Sequence, residues 1–104
     1  MQALAIELPE KALHDFCRRW KVRELAVFGS ALRDDFRADS DVDFLVRFAD
    51  GARWSLWDVI RAEEELAEVV GRPVDLVERS TVEQSDNWIR RNDILTTARV
   101  IYGG

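Results

Sequence analysis

A small mixed β-sheet with helices packed on it, of the α/β (α+β) class, is the fold this sequence predicts. Three observations lead there. Apolar residues recur at helical spacing on either side of short runs rich in Val, Leu and Phe. The segments alternate in the order helix, strand, helix, strand, helix, strand, helix. At 104 residues, 47% hydrophobic and 34% charged, the chain can build one core but has nothing left for a second. It is therefore read as a single domain over residues 1–104.

Pro9-Glu10 opens the first helix, because proline is tolerated in a first turn. Leu13, Phe16, Cys17 and Trp20 then form one apolar face up to about Lys21. RELAVF, residues 23–28, reads as a strand ended by Gly29, with a brief helix from Ser30 to about Phe36. Val42, Phe44, Val46 and Phe48 alternate with Asp43, Leu45 and Arg47, which predicts a strand with one strongly apolar face.

Ser55-Leu56-Trp57-Asp58 has the form of a capping box, and Gly71 is a natural stop, so the longest helix lies between them. Leu56, Val59, Ile60, Leu66, Ala67 and Val70 are expected inward, with Glu63, Glu64, Glu65 and Glu68 on the wet side. Trp20 and Trp57 also read as positions on buried helical faces. Val74-Asp75-Leu76-Val77 is a third strand; Thr81-Val82-Glu83-Gln84 can cap a turn; a last helix covers about 86–99. Val100-Ile101-Tyr102 reads as a short extended tail packing back on the body.

Bulk properties exclude several functions. No apolar run approaches the roughly 20 residues of a membrane span. The opening MQALAIELPEK has neither a basic start nor a long apolar stretch, so a cytoplasmic setting is expected. One cysteine, Cys17, rules out an internal disulfide, and with His14 the only histidine a structural zinc site is not expected. A net charge of −5 disfavours direct nucleic-acid binding despite the cluster Arg18, Arg19, Lys21 and Arg23.

The chemistry is concentrated elsewhere. Asp41 and Asp43, one residue apart at a strand start, point to the same side, shared with Leu45 and opposite Val42, Phe44 and Val46. Two carboxylates this close repel unless a cation neutralises them, and magnesium suits carboxylate and phosphate oxygens. Asp75, inside the apolar run PVDLV, is costly without a partner or a metal. If its strand lies beside that of Asp41 and Asp43, three carboxylates converge on a two-metal site. Gly29 ends a strand and lets a ligand approach the backbone closely, while a helix starting at Ser30 offers free N–H groups to an anion. Arg33, one turn later, is placed to reach phosphate or to brace the carboxylates. Taken singly, each of these features is commonplace: a turn, a solvated strand start, an edge aspartate. Their combination is not.

With Gly29-Ser30, a ten-residue spacer and Asp41-Val42-Asp43, the sequence resembles the polymerase-beta-like nucleotidyltransferase superfamily and, within it, the minimal nucleotidyltransferase (MNT) group. Where family members often read Arg-Gly and a proline, this chain has Arg33-Asp34 and Ala38. The resemblance implies the nucleotidyltransferase fold, with Asp41, Asp43 and Asp75 as catalytic carboxylates holding two Mg2+ ions. Gly29, Ser30 and Arg33 would bind the triphosphate of ATP. It further implies an antitoxin that transfers AMP to a tyrosine of a partner HEPN ribonuclease toxin within a hetero-oligomer. Two alternatives stand beside it: an antitoxin that masks the toxin by binding, anchored by members of the set Trp54, Trp57 and Trp88, and nucleotidyl transfer to a small molecule.

Overall fold

The computed structural model describes residues 8–29 and 41–103. The helices are α1 (Glu10–Arg19), α2 (Leu56–Val70), α3 (Arg79–Glu83) and α4 (Trp88–Thr97); the strands are β1 (Val22–Phe28), β2 (Val42–Phe48), β3 (Val74–Glu78) and β4 (Arg99–Gly103). The short helix expected over residues 30–36 lies outside the described residues.

The four strands form one mixed sheet in the order β3-β2-β1-β4. β1 runs antiparallel to both β2 and β4, whereas β2 and β3 are parallel, joined by the crossover helix α2. The first three strands therefore form where the sequence predicts them. The C-terminal tail goes further than packing back: it enters the sheet as β4, pairing Leu25 with Tyr102 and Val27 with Arg99. The strand needs no local signal, because the open side of β1 supplies the template.

Period-two alternation divides the side chains between two cores. On one side Leu13, Phe16 and Cys17 of α1 and Ala62 and Leu66 of α2 pack on Val42, Phe44, Val46 and Leu76. On the other, Val82 of α3 and Ile94 of α4 pack on Ala26, Phe28 and Leu45. Cys17 is fully buried, and that burial pushes its thiol pKa up to about 12.

α2 starts and stops as its sequence demands. The Ser55 hydroxyl accepts from the Asp58 N–H at 3.2 Å, and the Asp58 carboxylate accepts from the Ser55 N–H at 2.9 Å. The helix ends at Gly71, in the left-handed region with φ 76°, a conformation most side chains resist. Its orientation departs from expectation. Leu56 and Ile60 are exposed rather than inward, and Trp57 is 73% exposed; the stripe against the sheet is Ala62 and Leu66, flanked by Val59, Val69 and Val70. The apolar arc of α2 is simply wider than the strip the sheet can cover.

The acidic side of α2 is not wholly wet either. Glu63 accepts a 2.9 Å hydrogen bond from the Leu76 N–H of edge strand β3, and Glu65 accepts from the Trp20 indole N–H at 2.7 Å. Trp54 donates to the Trp20 carbonyl at 2.8 Å and meets the Trp20 ring edge-on, so both rings have structural partners. The last helix is shorter than expected, capped by Asn87, whose side chain accepts from the Arg90 N–H.

Candidate active site

The register of the sheet brings two of the three predicted carboxylates together. Asp43 on β2 pairs with Asp75 on β3, next to Val42↔Val74 and Phe44↔Leu76. Paired residues on adjacent strands share a face, and neighbouring strands run about 4.8 Å apart. Since Phe44 and Leu76 point into the α1/α2 core, Asp43 and Asp75 both point to the α3/α4 side. Asp43 is half-buried, while Asp75 and Asp41 are exposed. Asp41 immediately precedes β2, two residues before Asp43.

Gly29 completes the row. Phe28 pairs with Asp43, so the residue after β1 arrives beside that carboxylate. A Cβ on Gly29 would collide with the Asp43 carboxylate, and its φ of 74° lies in the left-handed region. Glycine is thus required twice, for the turn and for the close approach. Across the sheet the order is Gly29, Asp43, Asp75. Ser30 and Arg33, the other two residues predicted to hold a ligand, lie outside the described residues.

Among the described residues no group of three or more His, Cys, Asp or Glu side chains is drawn together into a metal cluster. The donor set is nonetheless one magnesium accepts. That ion is usually held by one or two carboxylates and keeps its remaining positions for waters and phosphate oxygens. Asp43 and Asp75, adjacent by register, meet this description, with Asp41 two residues away.

Other charged groups have local partners. Of the basic cluster, Arg18 pairs with Asp15 at 2.7 Å, Arg19 with Glu65 at 2.9 Å and Arg23 with Asp50 at 4.0 Å, while Lys21 sits over the Trp54 ring. His14 stacks edge-on against Tyr102, a packing role. Two features had no sequence signal. Arg79, at the start of α3, reaches Glu24 at 2.7 Å and also lines a cavity of about 420 Å3 at the far end of β2 from Asp43. A smaller cavity, about 120 Å3, opens between β3, α3 and α4 on the carboxylate side of the sheet.

A mixed sheet with a glycine turn set against two register-matched aspartates is the architecture of a nucleotidyl-transfer domain. The chain belongs to the nucleotidyltransferase domain family, whose pattern it matches over residues 9–101. It is 45% identical over 64 residues to the protein adenylyltransferase MntA of Thermococcus cleftensis, covering 62% of this chain and 63% of that protein. The chain spans about 63% of the length of the curated relatives it first matches. Its backbone is similar to that of a crystal structure of a toxin–antitoxin with AMP-PNP, with TM-score 0.70 and 21% identity over 93% of this chain and 75% of that one. A tri-AMPylated Shewanella oneidensis HEPN toxin in complex with MNT antitoxin is similar too, with TM-score 0.60 and 20% identity over 91% of this chain and 70% of that one. At these identities the structural likeness is one of fold. No helix among the described residues is long and apolar enough to cross a membrane.

Proposed function

We propose that this chain is a cytoplasmic, magnesium-dependent protein adenylyltransferase that moves AMP from ATP to a tyrosine hydroxyl of a partner HEPN toxin and so neutralises it. The observation that carries this reading is the pairing of Asp43 with Asp75 on one face, with Gly29 pressed against Asp43. The relatives lend support: one is a protein adenylyltransferase, and two structures similar in fold pair toxin with antitoxin.

Asp41, Asp43 and Asp75 would hold magnesium, which supplies charge neutralisation at the triphosphate and eases ionisation of the acceptor hydroxyl. The Gly29 turn, with Ser30 and Arg33, would cradle the phosphates. The acceptor oxygen forms a bond to the α-phosphorus while the bond from that phosphorus to the bridging oxygen breaks, releasing pyrophosphate. Asp75 takes the hydroxyl proton and passes it to water. The protein's contribution is position and field rather than covalent chemistry.

The test is transfer of α-labelled AMP to the partner, followed by mass spectrometry. Wild-type protein with magnesium labels a partner tyrosine. Asp43→Asn, which keeps the side-chain volume, or chelation of the metal, abolishes the label. A second reading, masking without turnover, draws on the exposed strip of Leu56, Trp57 and Ile60 on α2. Under that reading the Asp41→Asn, Asp43→Asn double variant still suppresses the toxin.

A further inference from the structure

The carboxylate row has two sides, and they are not alike. Gly29 flanks Asp43 on the β1 side; Asp75 flanks it on the β3 side. If the phosphates of the nucleotide sit at the Gly29 turn, the acceptor must approach from the side of Asp75, because entering and leaving oxygens lie roughly in line across the phosphorus. The 120 Å3 cavity lies on that side.

Its floor is apolar: Val77 of β3, Val82 of α3 and Ile94 of α4. Thr81, Ser85 and Arg90 stand around its mouth. Val77 is two residues beyond Asp75 on the same strand and face, hence about 6.6 Å along it, close to the length of a phenol side chain from its first carbon to its hydroxyl. A dry cavity of about 150 Å3 accommodates benzene, so an open one of about 120 Å3 admits a ring whose edge projects from the mouth. Arg91, beside Arg90, is fixed there by a 3.1 Å hydrogen bond to the Ser85 carbonyl. Guanidinium groups at this rim offer a cation to an aromatic face. In the first turn of the same helix Trp88 and Ile89 are 60% and 65% exposed, as a protein-borne acceptor would require and a free small molecule would not.

Resting on the adenylyl-transfer reading above, we infer that the Val77–Val82–Ile94 cavity seats the phenol ring of a protein acceptor and directs its hydroxyl to Asp75. The floor selects an aromatic ring, and the β3 spacing sets the reach.

The decisive experiment needs no turnover. N-Acetyltyrosinamide is titrated into methyl-labelled protein while the Val77, Val82 and Ile94 methyl resonances are followed. Saturable shifts confined to those methyls, weaker with N-acetylleucinamide and lost in Thr81→Phe, are expected. Thr81 is exposed, so phenylalanine there fills the mouth without entering the core. Shifts centred on the larger cavity at the far end of β2, equal shifts with the leucine amide, or none at all overturn the assignment. In the transfer reaction Thr81→Phe raises the acceptor KM at least tenfold with ATP binding retained; an unchanged KM overturns it equally. Failure of the wild-type protein to transfer AMP would count against the adenylyl-transfer reading alone, and the methyl titration would then decide the seat by itself.

Discussion

Among the described residues of the site, Gly29 carries the tightest constraint. Alanine there must hold a left-handed φ, which costs about 1–2 kcal/mol, and must push its Cβ into the Asp43 carboxylate. Gly29→Ala is expected to lower stability by that amount in urea unfolding. It should also cut AMP transfer by roughly 100-fold, the cost of a misplacement of about 1 Å. The need for glycine was legible in the sequence as a strand-ending turn; the collision with Asp43 was not, because it depends on the Phe28↔Asp43 register. Cys17 offers a separate test. Its thiol is neutral in the fold up to about pH 12, whereas the unfolded chain ionises near the ordinary value of 9.0. The unfolded state therefore loses its proton first, so the contribution of Cys17 is constant below pH 9 and falls as pH rises from 9 toward 12. Urea midpoints across that range should decline more steeply for wild type than for Cys17→Ala, and thiol reagents should label Cys17 only on unfolding.

Among the elements, α2 shows what a sequence pattern conveys and what it omits. Its ends were legible because Ser55, Asp58 and Gly71 act through local backbone geometry. The Ser55 N–H, then its hydroxyl, holds the Asp58 carboxyl below the usual carboxylate range, so this cap contributes above the unfolded pKa and fades as pH falls through the folded one. Ser55→Ala should cost about 1 kcal/mol in thermal unfolding. The buried face was misjudged at Leu56 and Ile60 because hydrophobicity alone does not say which part of a broad apolar arc meets the sheet. Leu66→Ala should cost about 2–5 kcal/mol, while Leu56→Ser or Ile60→Ser should stay within about 0.5 kcal/mol. Glu63 was read as solvated, yet it accepts from a backbone N–H of β3. That bond also tethers the strand carrying Asp75 to the helix that precedes it.

For the molecule as a whole, the central fact is a sheet with a different core on each side. The larger one, under α1 and α2, fixes the parallel register of β2 and β3 and hence the adjacency of Asp43 and Asp75. The smaller one, under α3 and α4, shares its side of the sheet with the carboxylates. Cavities made in the two should therefore differ in effect. Leu66→Ala is expected to lower the unfolding midpoint with kcat preserved below the transition. Ile94→Ala, at a similar cost of about 2–5 kcal/mol, should also weaken transfer if the proposed acceptor seat is right, because it loosens the α4 wall of that cavity; steady-state kinetics at 25 °C separates the two. The Asp-x-Asp spacing and the third strand aspartate were readable in one dimension. The adjacency of Asp43 and Asp75 was legible only as a condition on strand order, since it is set by long-range packing rather than by any neighbour in the chain.

Strand β4 has a consequence in time. β1 is made early, yet its outer partner is drawn from residues 99–103, with Glu24 meeting Gly103. Closing so long a loop is entropically slow, and topologies ruled by such distant pairings fold late. During synthesis one edge of β1 stays bare until residues 99–103 have left the ribosome. A newly made chain is therefore briefly open to strand capture by another.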